Sequence, residues 1–195
     1  IDQFITREQL FRPNSILENV PNITKAYKWD EDKAGITIYL RKGLKWSDGE
    51  LFTADDILFY WYDYVLYAPY SDKPQIPSRY MKPNKDEPMD VTKIDDYTVR
   101  FDFDAPHPLF LQNFRYFYLP KHELKEYLPR YNNKTGEEAE ELYEKFLDIA
   151  DAPQDYKIAT MNVWVLDEII TGEKGVYVRN PYYWKVDPEG KQLPY

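Results

Sequence analysis

Residues Leu40 to Asp56 read LRKGLKWSDGELFTADD, and this stretch carries a strand end, a turn and a helix start in succession. Just ahead of it Ile36, Ile38 and Leu40 alternate with Thr37, Tyr39 and Arg41. That period of two suits a half-buried strand. Ser47, Asp48 and Gly49 then punctuate a turn. In the corner from Lys45 to Gly49, the Trp46 indole is placed to cover the turn and Asp48 to accept its N–H groups. Thr53 stands before Ala54, Asp55 and Asp56, where its hydroxyl can cap backbone N–H groups and the carboxylates meet the positive end of the helix dipole. Ile57, Leu58, Trp61, Tyr64 and Val65 continue on one apolar face, so a helix is expected from Ala54 to about Leu66.

Working outward, prolines interrupt regular structure between Ala68 and Pro88, which reads as a long ordered loop. Val91 to Ile94 and Thr98 to Phe103 alternate around Asp95 and Asp96 and predict a hairpin. Short helices are expected from about Leu109 to Asn113 and over Pro120 to Leu128. Thr135 with Glu138 has capping-box spacing, and Ala139, Leu142, Phe146 and Ile149 mark one face of a helix to about Ala150. Met161 to Ile170 and Gly175 to Arg179 read as two strands joined through Thr171 and Gly172. The fold class is mixed α/β, in the α+β sense.

The 195 residues are enough for one sizeable domain or two small ones and need no disulfide or structural metal to fold. Lys and Arg number 25 against 34 Asp and Glu, a net charge of −9 without a segregated basic patch, which argues against a nucleic-acid partner. The absence of Cys and the presence of only His107 and His122 remove thiolate nucleophiles and Cys/His zinc sites. No run approaches a membrane span and no signal segment opens the chain. It starts at Ile1 and ends on Leu193, Pro194 and Tyr195, so a piece of something longer is expected. Aromatics are dense, with 19 Tyr, 10 Phe and 5 Trp. They either replace aliphatic residues in the core or line a ligand cleft.

The adjacent carboxylates Asp55 and Asp56, Asp95 and Asp96, and Glu137 and Glu138 are where a hydrolase would begin. Each has a simpler place at a helix start or a turn, and sequence neighbours on a helix point about 100° apart. Asp30, Asp32 and Asp48 lack the rhythm of a calcium loop, and His107 and His122 read as surface histidines. No catalytic residue, no metal site and no cofactor is therefore assigned, and the chain is read as something other than an enzyme.

The LRKGLKWSDGELFTADD segment resembles the signature of the large, family 5 solute-binding proteins of oligopeptide-type and dipeptide-type ABC importers. Pro21 to Trp29 (PNITKAYKW), Asp95 to Pro106 (DDYTVRFDFDAP) and Val178 to Tyr195 (VRNPYYWKVDPEGKQLPY) resemble further pieces of the same family, in the family's order. The resemblance implies part of a two-lobed fold: residues 1–157 as the additional small domain, 158–195 as a portion of the first lobe, and the second lobe absent. It implies capture of an extracellular solute, oligopeptide first and oligosaccharide second, and delivery to ABC permease subunits.

It also implies a monomer located in the periplasm or outside the cell, anchored in some relatives through a lipidated N-terminus. Two ligand contacts are carried over: Tyr70, in the loop after the signature helix, and Trp164, where relatives carry a Gly-Pro-aromatic run and this sequence has Met161, Asn162 and Val163 before the Trp. The competing reading is an autonomous, aromatic-rich carbohydrate-binding module. A hydrolase using Asp55 or Asp56 is the third.

Overall fold

A computed structural model describes residues 8–71, 74–170 and 174–193. Its residues group into two compact units, each built from separated stretches of chain.

One unit comprises Gln9–Lys42 and Thr53–Tyr118. A short hairpin pairs β1 (Phe11–Pro13) with β2 (Asn19–Pro21). The main sheet is antiparallel throughout, in the order β3 (Thr24–Trp29), β4 (Gly35–Leu40), β6 (Thr98–Asp102), β5 (Asp90–Asp95). Ile36, Ile38 and Leu40 of β4 face inward with Val99 and Phe101 of β6, as the alternation requires. The strand β3 carries no run of apolar residues and was not expected. It forms because β4, paired with β6 on its other side, offers it a backbone edge.

The helix start is where the sequence puts it. α1 (Ala54–Phe59) opens at Thr53, and its first N–H, on Ala54, reaches the carbonyl of Asp96 in the β5–β6 turn at 2.8 Å. Beyond Phe59 the expected single helix changes character: Tyr60–Val65 is a π-helix, closed by the Leu66 N–H on the Trp61 carbonyl at 3.0 Å. The wider turn goes with burial on more than one face, since Phe59, Tyr60, Asp63 and Val65 are all covered. The loop that follows contains, among its described residues, a 3₁₀ turn at Ser78–Tyr80. After the sheet, α2 (Phe110–Asn113) brings Phe110 and Phe114 against Phe101, with ring centroids 5.3 and 4.8 Å away. Phe117 completes this aromatic core.

The other unit comprises 1–8, Gly43–Phe52 and Leu119–Tyr195. α3 (Lys121–Leu124) runs into a 3₁₀ turn at Lys125–Tyr127, and α4 (Pro129–Asn132) ends at Asn133 in the left-handed region. α5 (Glu137–Asp151) buries Ala139, Tyr143, Phe146 and Ile149. The expected capping box at its start does not form: Gly136, with φ 65° and ψ −150°, occupies the cap position and no side chain caps it. That backbone conformation suits Gly alone, and it leaves Thr135 one residue too early. β7 (Trp164–Ile170) and β8 (Lys174–Arg179) form an antiparallel pair. β7 starts later than expected because Met161 to Val163 bend, and the expected turn at Thr171 and Gly172 lies outside the described residues. Residues 157 and 158 both belong to this unit.

Candidate functional site

The corner that decides the fold is held by its own backbone. The Trp46 N–H meets the Glu50 carbonyl at 2.8 Å and the Gly49 N–H returns to the Trp46 carbonyl at 3.0 Å. Gly49 has φ 98°, and a Cβ there would lie 3.1 Å from the Tyr182 ring, so both conformation and space demand glycine. Asp48 Oδ1 accepts the Glu50 N–H at 3.1 Å. Trp46, 1% exposed, packs edge-on against Phe52 at 5.6 Å and lies 6.0 Å from the His122 ring. The expected covering and turn-holding roles of Trp46 and Asp48 are thus those observed.

The corner also positions the start of β7. Ser47 exchanges two hydrogen bonds with Thr160, from its own N–H at 2.9 Å and to its hydroxyl from the Thr160 N–H at 3.0 Å. The following bend is fixed by Asn180, whose side chain donates to the Asn162 carbonyl at 2.7 Å and whose N–H donates to Val163 at 3.0 Å. Trp164 comes next, half-buried and paired with Arg179. Met161 and Asn162 are buried, so the departure from the Gly-Pro-aromatic run is accommodated by an asparagine-bonded bend.

Tyr70 belongs to the sheet-containing unit, in the turn after the π-helical segment, and is 45% exposed. Trp164 belongs to the other unit. Tyr70 is thus exposed and Trp164 half-buried, each in a different unit.

An aromatic and cationic group near Tyr70 in sequence escaped the sequence reading. Tyr60 and Tyr80 place their hydroxyls 3.4 Å apart in the interior, and Arg79 lies over the Tyr80 ring at 4.6 Å. Burial, followed by the neighbouring Tyr80, drives the Tyr60 phenol far above its usual range, so it stays protonated. Pro77, immediately before this 3₁₀ turn, was the available signal.

Five of the six paired carboxylates are structurally engaged. Asp56 bonds the Thr53 N–H, and Lys93 bridges Asp55 at 3.1 Å and Asp96 at 2.8 Å. Asp95 accepts from Tyr97 N–H and Thr98 Oγ1, contacts that hold its carboxyl below the usual range. Glu138 pairs with Lys134 at 2.7 Å.

Residues 18–195 match the family described as bacterial extracellular solute-binding proteins, family 5 middle. The chain belongs to this family. It is 37% identical over 185 residues to the periplasmic alpha-galactoside-binding protein of Rhizobium meliloti (strain 1021), covering 92% of this chain and 25% of that protein. The family 5 chain therefore spans about a quarter of the length of that curated relative.

Among solved structures it is similar to the periplasmic binding protein MelB of Agrobacterium fabrum C58 in complex with stachyose, with TM-score 0.76 and 34% identity over 98% of this chain and 29% of that one. It is also similar to an oligopeptide-binding protein OppA, with TM-score 0.80 and 31% identity over 99% of this chain and 31% of that one. These relatives are named for binding. Among the described residues no helix is long and apolar enough to cross a membrane.

Proposed function

We propose that this family 5 chain is part of the substrate-binding component of an ABC importer, working in the periplasm or outside the cell as a monomer. The whole protein captures its solute by closing two lobes on it and hands it to the membrane permease. No bond is broken. Ligand favours the closed state only by the difference between its affinities for the two states.

The solute we put first is an oligosaccharide of the α-galactoside type, ahead of the oligopeptide expected from the sequence. The observation that carries this is the 37% identity over 92% of the chain to a protein named for alpha-galactosides. Oligopeptide stays as the second reading, on the 31% identity to the oligopeptide-binding protein. The free-standing carbohydrate-binding module draws no support from these relatives. Residues 1–157 as the additional small domain and 158–195 as a portion of the first lobe complete the proposal, with Tyr70 and Trp164 as solute contacts.

The test is a thermal-shift screen of the whole protein carrying this chain, against stachyose and against short peptides. A ligand at 100 times its dissociation constant stabilises its binder by about 2.7 kcal/mol. A shift with stachyose and none with peptides supports the reading. A shift with peptides alone replaces it with the second, and a response to neither defeats both.

A further inference from the structure

The structure brings together three donor groups that the solute-binding reading does not use. Asp48 in the signature corner and His122 and Glu123 of α3 place one ligand atom each within 4.8 Å of one another. The His122 Nε2 lies 2.6 Å from Asp48 Oδ2 across 74 residues of sequence. All three belong to one compact unit.

Each carboxylate is anchored through one oxygen and presents the other. Asp48 Oδ1 takes the Glu50 N–H at 3.1 Å, which leaves Oδ2 toward His122. Glu123 Oε2 takes the Ala159 N–H at 2.7 Å, which leaves Oε1 for another partner. The imidazole is set by the Trp46 ring beside it, itself buried. Backbone bonds of this kind orient ligand side chains from outside a metal's own shell.

We propose that Asp48, His122 and Glu123 form a binding site for a divalent transition metal, with Zn2+ the ion that fits best. The donor set is one imidazole nitrogen and two carboxylate oxygens. Their two negative charges match a dication, and the nitrogen disfavours Mg2+ and Ca2+, which take oxygen ligands. The imidazole turns its Nε2 lone pair to the ion by carrying its proton on Nδ1. A tetrahedral Zn2+ at about 2.0–2.2 Å from its ligands sets them roughly 3.3 Å apart, so Asp48 and His122 separate by under about 1 Å as it enters, and water takes the fourth position. This site is independent of which solute the whole protein carries.

Composition makes the test clean. With no Cys and only two His in the chain, stoichiometric binding through imidazole must use His122 or His107. The 195-residue chain is titrated with Zn2+ by calorimetry, and with Co2+ read by visible absorption. The expected result is one ion per chain, weakened roughly tenfold or more by His122→Ala and by Glu123→Gln, whose amide oxygen still accepts from Ala159. His107→Asn leaves it unchanged. If His122→Ala does not melt cooperatively, His122→Gln, whose amide still donates to Asp48, carries the same comparison. No binding below millimolar Zn2+ to the folded chain, binding indifferent to His122, or binding lost with His107 each overturns the proposal.

Discussion

Asp56 Oδ2 accepts the backbone N–H of Thr53 at 2.9 Å while the Thr53 side chain accepts from the first turn of the helix that Asp56 helps to open. This reciprocal box is the hinge of the stretch on which the fold is read, and it is buried at Asp56, which is 4% exposed. Thr53→Ala is expected to cost about 1 kcal/mol. Asp56→Ala is expected to cost more, about 1–3 kcal/mol, because it removes a buried carboxylate and leaves the part-buried Thr53 N–H without its acceptor. Urea denaturation followed by circular dichroism measures both, and equal costs would contradict the burial argument.

Phe117 is fully buried with four rings within 5.7 Å: Tyr60 at 4.6, Phe114 at 4.6, Tyr80 at 5.2 and Phe101 at 5.7 Å. Phe117→Ala removes a ring on which the sheet-containing unit closes. A loss of about 3–5 kcal/mol is expected, and Phe117→Leu should cost clearly less. Chemical denaturation of the two variants against the parent chain checks the order.

Arg100 on β6 sits between Asp30 and Asp102, with its Nη1 donating to Asp30 at 3.1 Å and its Nε to Asp102 at 2.9 Å. The hydrogen bond from Arg100 holds the Asp30 carboxyl below its ordinary value. A lowered folded value means that this contribution is full above the ordinary Asp range and is lost as pH falls through the folded value. The window therefore lies below about pH 4. Arg100→Gln is expected to lower the urea midpoint at pH 7 and to converge with the parent chain toward pH 2. Parallel curves across that range would show that the pair does not act through ionisation.

Gly35 lies against the same group. A Cβ there would collide with Arg100 Nη2 and stand 2.6 Å from Asp30 Oδ2, so Gly35→Ala must displace a guanidinium held from both sides. The expected outcome is a lower melting temperature in the parent chain and a smaller drop in the Arg100→Gln background. Calorimetry of the double-mutant cycle measures the difference.

Trp164 and Tyr70 can be separated from stability. Tyr70 is exposed and Trp164 is half-buried at a strand end, so neither anchors a core. In the whole protein, Tyr70→Ala and Trp164→Ala are each expected to weaken solute binding by about 1 kcal/mol, roughly fivefold in Kd, from the lost stacking. Titration calorimetry with the solute that shifts the melting temperature reads this. Unchanged affinity in both would remove these residues from the site.

What the sequence determined by itself is what neighbouring residues dictate. The alternation of Ile36, Ile38 and Leu40 and the Thr53 cap are short-range patterns and are present, and the apolar face of α5 is present at Ala139, Phe146 and Ile149, with Tyr143 buried where Leu142 was expected. The order of four family-like segments was also legible, because a linear match needs no folding. Local reading failed where a single backbone angle intervened, as at Gly136, whose positive φ moved the cap from Thr135. It failed again at Thr24–Trp29, where a strand without an apolar run exists because β4 supplies its hydrogen bonds. The π-helical turn at Tyr60–Val65 and the meeting of Asp48 with His122 belonged to the tertiary structure alone. Which faces are buried, and which groups converge across 74 residues, depends on how whole elements pack, and no window of sequence contains that information.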